Sequence, residues 1–456
     1  FAKQNQGQFI LRIEDTDLER STEDSLKQLI SSLTWLGLTW DEGPEIGGEF
    51  GPYLQSDRLE LYNLYSDKLL KEGKAYRCFC TAEELALERD KNLKAKQTPK
   101  YSGKCSNLSE FEIKKKLDEK IPFTIRFKVE KDINIEFKDH VHKKVSINTA
   151  MIGDFVIVRS NGLATYNFAV VIDDALMKIT HVFRGDDHIS NTPKQILIFK
   201  AMGFSIPEFG HLSMILGKDG SRLSKRHGAT SVEEFKEIGY LPDAMVNYLA
   251  LLGWYPKEGK DGKVEEILDQ GELIEQFDID SVSKHPARFN LKKLDWVNTQ
   301  YIKKLSDKKL IQFAKPFLEK EGLWNADDLE GMKKIIGIIK FYISKISDFP
   351  EYAKLFFKEF KMDEKLYSTI FNSETKILAE SLLEGFSNLE DYSPESIFPV
   401  LKEVTKKTKI KGRDFYMPLR LILTGQEHGP DINNIISVFG KDRMIKLLNN
   451  FIEFKK

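Results

Sequence analysis

Three short apolar runs in the first half of the chain each break off in a burst of polar side chains. No other feature restricts the fold as much. Phe9, Ile10, Leu11 and Ile13 lie in the run 8–13, and Glu14, Asp15 and Asp17 follow at once. The run 179–183 gives way to Arg184, Gly185, Asp186, Asp187 and His188. The run 211–216 leads into a glycine-rich turn carrying Lys218, Arg222, Ser224, Lys225 and Arg226. The first two runs read as buried strands. Polar residues gathered past strand ends are where open α/β sheets bind ligands. Glu14 to Asp17 also suit a helix N-terminus, where the dipole favours acids, and the two readings are compatible.

The remaining patterns fill in around these strands. Apolar spacing over 25–36 (Leu26, Leu29, Ile30, Leu33, Leu36) predicts a helix stopped by Gly37, and a second helix covers 61–70. Alternation predicts strands over 123–129 and 133–137 with a turn at Lys131-Asp132. The segments 155–158 and 166–172 read as further strands joined through Asn161-Gly162, with Asp173-Asp174 interrupting. A helix opens at Thr192 or Pro193 and runs through Ala201. Another covers 232–238. From Leu310 onward amphipathic helices recur, and the clearest boundary falls near 305–310, where strand signals stop.

Several clusters carry chemistry. The turn 217–229 can lay backbone N–H groups and cations along a polyphosphate, or it is a solvated basic hairpin loop. Arg184 suits a bidentate carboxylate clamp, or a surface salt bridge with Asp186. Cys78, Cys80 and Cys105 can face one metal ion, with Tyr101 as a fourth ligand. The alternative is buried, inert cysteines on a β-hairpin. Three cysteines in 456 residues argue against a disulfide scaffold and for a reducing compartment. The net charge of −1 means that nucleic-acid binding must come from local patches. The densest of these is Lys406 to Arg413. No run of about 18 apolar residues suggests a membrane span.

Five stretches, in order, resemble bacterial-type glutamyl-tRNA synthetase, a class I aminoacyl-tRNA synthetase. They are Leu11 to Asp17, Tyr166 to Asp174, His181 to His188, Arg222 to Gly228, and the pair Leu294 to Trp296 with Phe415 to Arg420. The fourth is similar to the Lys-Met-Ser-Lys-Ser loop, with Arg222 and Lys225 at the two lysine positions. The resemblance implies a Rossmann-type parallel-sheet α/β catalytic domain split by an α+β insertion, then an all-α anticodon-binding region. The expected divisions are 1–72 and 161–235 for the catalytic halves and 73–160 for the acceptor-binding insertion. A helical stem-contact domain is expected over 236–308 and the anticodon-binding domain over 309–456.

The implied reaction is ATP-dependent ligation of L-glutamate to tRNA(Glu) through a glutamyl-adenylate, with magnesium accompanying ATP. Lys225, Arg222 and Ser224 are expected to be catalytic. Glu14, Tyr166 and Arg184 are expected to bind glutamate, and Asp187 with Lys225 to bind ATP. Cys78, Cys80, Tyr101 and Cys105 resemble a zinc knuckle of part of the family, with Asn107 where some members have histidine. His188 and Val170 stand where some members have tryptophan and asparagine. The family's first signature, His-Ile-Gly-His, would lie upstream of Phe1, so a preceding segment is expected. A cytoplasmic monomer is implied. The alternatives are a non-catalytic tRNA-binding paralogue and a non-discriminating enzyme that also charges tRNA(Gln).

Overall fold

The computed structural model describes residues 1–16, 23–97, 99–224, 226, 228–259, 262–358 and 360–454. They form two compact units, Phe1–Thr230 with Leu249–Asn290, and Ser231–Tyr248 with Leu291–Lys456. The first unit contains, in chain order, helices α1 (Glu23–Trp35) and α2 (Leu59–Lys71), strand β1 (Ala75–Cys78), and helices α3 (Ala82–Lys94) and α4 (Glu110–Asp118). Strands β2 (Thr124–Phe127), β3 (Asn134–Asp139), β4 (Lys143–Asn148) and β5 (Phe155–Val158) follow. Then come α5 (Tyr166–Leu176), β6 (His181–Gly185), α6 (Thr192–Met202), β7 (Glu208–Leu212), β8 (Ile215–Leu216) and β9 (Ala287–Arg288).

The central sheet has the order β4-β3-β7-β6. β6 and β7 are parallel, in register from His181 opposite Glu208 to Gly185 opposite Leu212. β3 joins β7 in parallel at Asp139 and Phe209. β4 closes the edge antiparallel to β3, so the sheet is mixed. Helix α6 connects the parallel pair and ends in the αL glycine Gly203 (φ +71), where Phe204 N–H donates to Phe199 O at 2.9 Å. Helices α2, α5 and α6 supply Tyr62, Leu69, Phe168, Ile172, Ile198 and Phe199 to one core with Ile135, Ile157 and Phe209 from the strands. A separate antiparallel sheet, β1-β2-β5, carries Cys78 at the end of β1.

Three expectations need correction. Residues 166–172 are not a strand; they open α5, whose residues Phe168 through Asp174 are all buried. A helix covered on every side has no polar face, so its β-branched run imitates a strand. Residues 8–13 make no named strand. Ile10 and Ile13 form single parallel bridges to Glu42 and Leu54. Lys131-Asp132 does turn the chain (Asp132 φ +59), but the strands on either side join different sheets.

Among the described residues the second unit contains helices and no strand, as the amphipathic pattern predicts. Leu378, Leu382 and Phe386 of Ser373–Ser387 and Ile435 and Phe451 of Ile432–Ile452 are buried. Between helices Pro394–Thr408 and Arg413–Thr424 the chain turns through Lys409 (φ +60) and Gly412 (φ +58). Lys406, Lys407, Lys409, Lys411 and Arg413 are exposed there, a basic corner on a helical surface.

Candidate active site

Two groups of charge meet beside the carboxyl end of β6. The first is anchored on Asp173 and Asp174, the carboxylates at the end of the buried stretch of α5. Asp173 accepts from Arg58 Nε at 2.6 Å, Gln55 Nε2 at 2.8 Å and the Tyr62 hydroxyl at 2.9 Å. Asp174 takes Arg12 Nη1 at 2.7 Å, and the Glu14 carboxylate takes Arg12 Nη2 at 3.2 Å. Buried carboxylates persist only when donors surround them, and these donors do so. Burial still pushes the Asp174 carboxyl up, against the pull of Arg12. Arg12 thereby fixes the chain just ahead of Glu14, whose side chain keeps 39% of its surface open.

The second group is built on Arg184. Its Nε donates to His211 Nε2 at 3.2 Å and its Nη1 to the Tyr166 hydroxyl at 3.1 Å. Its Nη2 donates to Thr192 Oγ1 at 2.8 Å and Gln195 Oε1 at 2.7 Å. A guanidinium only donates, so His211 must accept through Nε2 and carry its proton on Nδ1. That proton points at Asp139 Oδ2, 2.6 Å away. The pair is fully buried. Burial pushes the Asp139 carboxyl up, but hydrogen bonds from His211 and from the backbone N–H groups of His142 and His211 outweigh it and hold it at about 2. Four of the five Arg184 N–H groups are thus spoken for, and among the described residues none of the acceptors is a carboxylate. The alternative pair with Asp186 does not form among the described residues. Among the described residues no carboxylate bonds Arg184 directly.

Tyr166 joins the two groups. Its hydroxyl also lies 3.1 Å from His188 Nδ1. Burial pushes its phenol up, with Glu14 and Asp174 adding to the effect and Arg184 opposing it. Beyond His188, Asp187 Oδ2 lies 3.6 Å from Arg222 Nη2 in an exposed pair. Such pairs contribute about 0–1 kcal/mol, so this contact locates the turn without locking it. Arg226 Nη2 reaches Asp219 at 3.3 Å within the turn. Ser224 is exposed. Asp17 and Lys225 lie outside the described residues.

The cysteines come together as their sequence positions suggest. The Tyr101 hydroxyl lies 3.4 Å from Cys78 Sγ and 3.5 Å from Cys80 Sγ, and Cys80 Sγ lies 3.6 Å from Cys105 Sγ. Burial pushes the Cys80 thiol up to about 12. Burial raises Cys78 too, but hydrogen bonds from Tyr101, the Cys80 backbone and Arg126 bring it below the ordinary thiol range.

Arg12, Asp139 and His211 escape sequence reasoning, as do Thr192 and Gln195. His211 sits inside an apolar run and Asp139 ends a strand, so neither advertises a polar partner. The one signal was Asp173-Asp174, two acids at the end of an apolar stretch.

Comparison with known proteins identifies the family. Residues 1–296 match the family model for the catalytic domain of class I tRNA synthetases (E and Q), and residues 309–452 match an anticodon binding domain. The glutamate--tRNA ligase of Carboxydothermus hydrogenoformans is 46% identical, with 98% of this chain and 94% of that protein aligned. Glutamate--tRNA ligase 1 of Fervidobacterium nodosum is 47% identical, over 99% of this chain and 93% of the other. The crystal structure of a glutamate tRNA ligase from Elizabethkingia meningosepticum, in complex with its amino acid, superposes with a TM-score of 0.88. It is 36% identical and covers 100% of this chain and 94% of its own.

Proposed function

This chain belongs to the class I tRNA synthetases for glutamate and glutamine, and from that membership we propose how its first unit works. Its reaction is the ATP-dependent joining of L-glutamate to tRNA. The observation that carries the assignment of the pocket is the charge on Arg184. It is partly buried, held by neutral acceptors, and supplied with no carboxylate of its own. A ligand carboxylate is the natural complement, taken by the remaining Nη1 N–H together with the Tyr166 hydroxyl. Glu14, fixed through Arg12, takes the substrate's α-amino group.

In the first step a glutamate α-carboxylate oxygen attacks the α-phosphorus of ATP, the bond to the bridging oxygen breaks, and pyrophosphate leaves. In the second, the terminal ribose hydroxyl of tRNA attacks the glutamyl carbonyl and releases its proton to solvent, and AMP leaves with the bonding electron pair. Positioning and charge stabilisation supply most of such a rate. Magnesium bound with ATP neutralises phosphate charge. Asp187 serves the adenosine side. Arg222, Ser224 and Lys225 serve the phosphates, with Lys225 opposite the charge that builds on the α-phosphate. The role of Lys225 rests on its place in the loop motif. Cys78, Cys80, Cys105 and Tyr101 would hold a zinc ion. The Tyr101–Cys78, Tyr101–Cys80 and Cys80–Cys105 separations of 3.4 to 3.6 Å suit a tetrahedral site whose edge, with Zn–S about 2.3 Å, is roughly 3.7 Å.

The test is glutamate-dependent pyrophosphate exchange and charging of tRNA(Glu) and tRNA(Gln) transcripts. Lys225→Ala lowers exchange by about 10²–10³-fold with an unchanged melting temperature. Wild-type exchange in that variant removes Lys225 from the mechanism. Absence of any charging by the unaltered protein leaves the tRNA-binding paralogue, and charging of tRNA(Gln) leaves the non-discriminating enzyme.

A further inference from the structure

The end of the central sheet away from the glutamate pocket holds a second constellation that the reaction does not use. His181 opens β6, Glu208 opens β7 and stands opposite it in register, and His140 directly follows β3 with its N–H donating to Phe209 O at 2.9 Å. Three hydrogen-bonded neighbouring strands therefore each present one donor atom. Glu208 Oε2 lies 2.9 Å from His140 Nε2 and 3.9 Å from His181 Nε2. All three atoms fall within 4.8 Å of one another.

The outer nitrogens matter as much. His181 Nδ1 is 2.9 Å from Thr180 Oγ1, which leaves Nε2 free to face inward. His140 Nδ1 is buried without a hydrogen-bond partner, and the nearest carboxylate is Asp280 Oδ1 at 3.7 Å. Asp280 is itself held by Lys143 Nζ at 3.0 Å, so it serves as an outer acceptor and not as a ligand. A plain His140–Glu208 hydrogen bond accounts for the shortest distance only. It leaves His181 Nε2 facing a carboxylate beyond bonding range and gives the buried His140 Nδ1 nothing. A cation bound by both Nε2 atoms accounts for the convergence of the two imidazoles on one carboxylate, and it puts the His140 proton on Nδ1, facing the Asp280 carboxylate. Each imidazole would then turn its other N–H to an oxygen, the arrangement that orients metal-bound histidine.

We propose that His140, His181 and Glu208 bind a first-row divalent cation of the zinc class. Two imidazoles and one carboxylate select such ions over magnesium or calcium. Bond lengths of about 2.0–2.2 Å set a tetrahedral edge of roughly 3.3 Å. The observed separations bracket that edge, so side-chain rotation closes the site. Glu208 keeps 65% of its side-chain surface exposed, which gives the ion an entry path and leaves coordination positions for water. The ion would pin three strands at the end of the sheet away from Arg184.

Cobalt(II) tests this on the whole protein, because its spectrum separates thiolate ligands from nitrogen and oxygen ligands. In a background with Cys78, Cys80 and Cys105 all changed to serine, one equivalent of Co²⁺ should bind with d–d bands and no sulfur charge-transfer band. His181→Ala and Glu208→Gln should each weaken that binding by at least about tenfold, and Asp280→Asn by about tenfold. Glutamylation by His181→Ala should match the unaltered protein. The proposal is overturned if the triple-serine protein binds no Co²⁺, or if both ligand variants made in it bind Co²⁺ with unchanged affinity and spectrum. Glu208→Gln replaces an exposed side chain, so its result does not depend on refolding of the core.

Discussion

Two arginines of the first unit show how surroundings decide what a guanidinium can do. Arg12 faces Asp173, Asp174 and Glu14, and its charge is spent on structure. Arg184 faces Thr192, Gln195, Tyr166 and the accepting nitrogen of His211, and among the described residues none of these acceptors is a carboxylate. Arg184→Lys keeps the charge but cannot satisfy four acceptors in a planar fork. Charge-assisted bonds contribute about 1.5–3 kcal/mol, so the KM for glutamate should rise roughly ten- to a hundredfold while the KM for ATP holds, as read by pyrophosphate exchange. Asp139 sits behind this arrangement. Its folded pKa of about 2 lies below the ordinary value near 3.8. A depressed carboxyl stabilises the fold above its unfolded pKa, and that stability is lost as pH falls through the folded pKa. The difference amounts to roughly 2 kcal/mol. Asp139→Asn should therefore lower unfolding free energy by about that much at pH 7 and change it little at pH 2, measured by urea titration at both. Arg184 was legible in the sequence because polar residues crowd past β6. Tyr166 was named beside it from the family resemblance, but Thr192, Gln195 and His211 were not, because they arrive from α6 and β7 and only packing brings those elements to one guanidinium.

Elements differ in how openly the sequence declares them. Helix α6 announces itself through Thr192-Pro193 at its start and Gly203 past its end. Helix α5 hides, because burial on all sides removes the apolar stripe that marks a helix. Residues 8–13 show the reverse case, a run with strand composition that finds only single bridges. Composition states a preference, and neighbours decide whether it is met. Two glycines with the same backbone requirement separate these contributions. Gly203 (φ +71) has open space where a Cβ would sit, whereas at Gly239 (φ +85) a Cβ would stand 2.5 Å from the Ser347 backbone nitrogen. Gly203→Ala carries only the left-handed conformational cost, about 1–2 kcal/mol. Gly239→Ala adds a collision with backbone that also carries the Ile346 N–H to Gly239 O bond of 2.9 Å. It should destabilise its unit by at least about 3 kcal/mol. The midpoints of urea unfolding for the two variants give the comparison directly, and equal shifts would mean that the Ser347 turn yields freely.

At the scale of the molecule, each unit closes a core of its own. The Phe168, Ile172 and Phe199 core belongs to the first unit, and the Leu378, Phe386 and Phe451 core belongs to the second. The proposed glutamate pocket draws Glu14, Tyr166 and Arg184 from the first unit alone. The exposed basic corner from Lys406 to Arg413 belongs to the second. Small substrates and tRNA should then leave different thermodynamic marks. A ligand that binds only the folded form stabilises it by RT ln(1 + [L]/Kd), about 2.7 kcal/mol at a hundredfold excess over Kd. Glutamate with a non-hydrolysable ATP analogue should confer roughly that much on α5 and α6, measured as slowed hydrogen exchange of their peptides under conditions where exchange requires unfolding. Peptides from Ser373–Ser387 and Ile432–Ile452 should stay unchanged. Adding tRNA should slow exchange in the second set as well, and more weakly as salt rises, because phosphate contacts release counterions. Protection of the second set by glutamate and the nucleotide alone would mean that stability is shared across the chain, and the pocket could no longer be treated as the property of one unit.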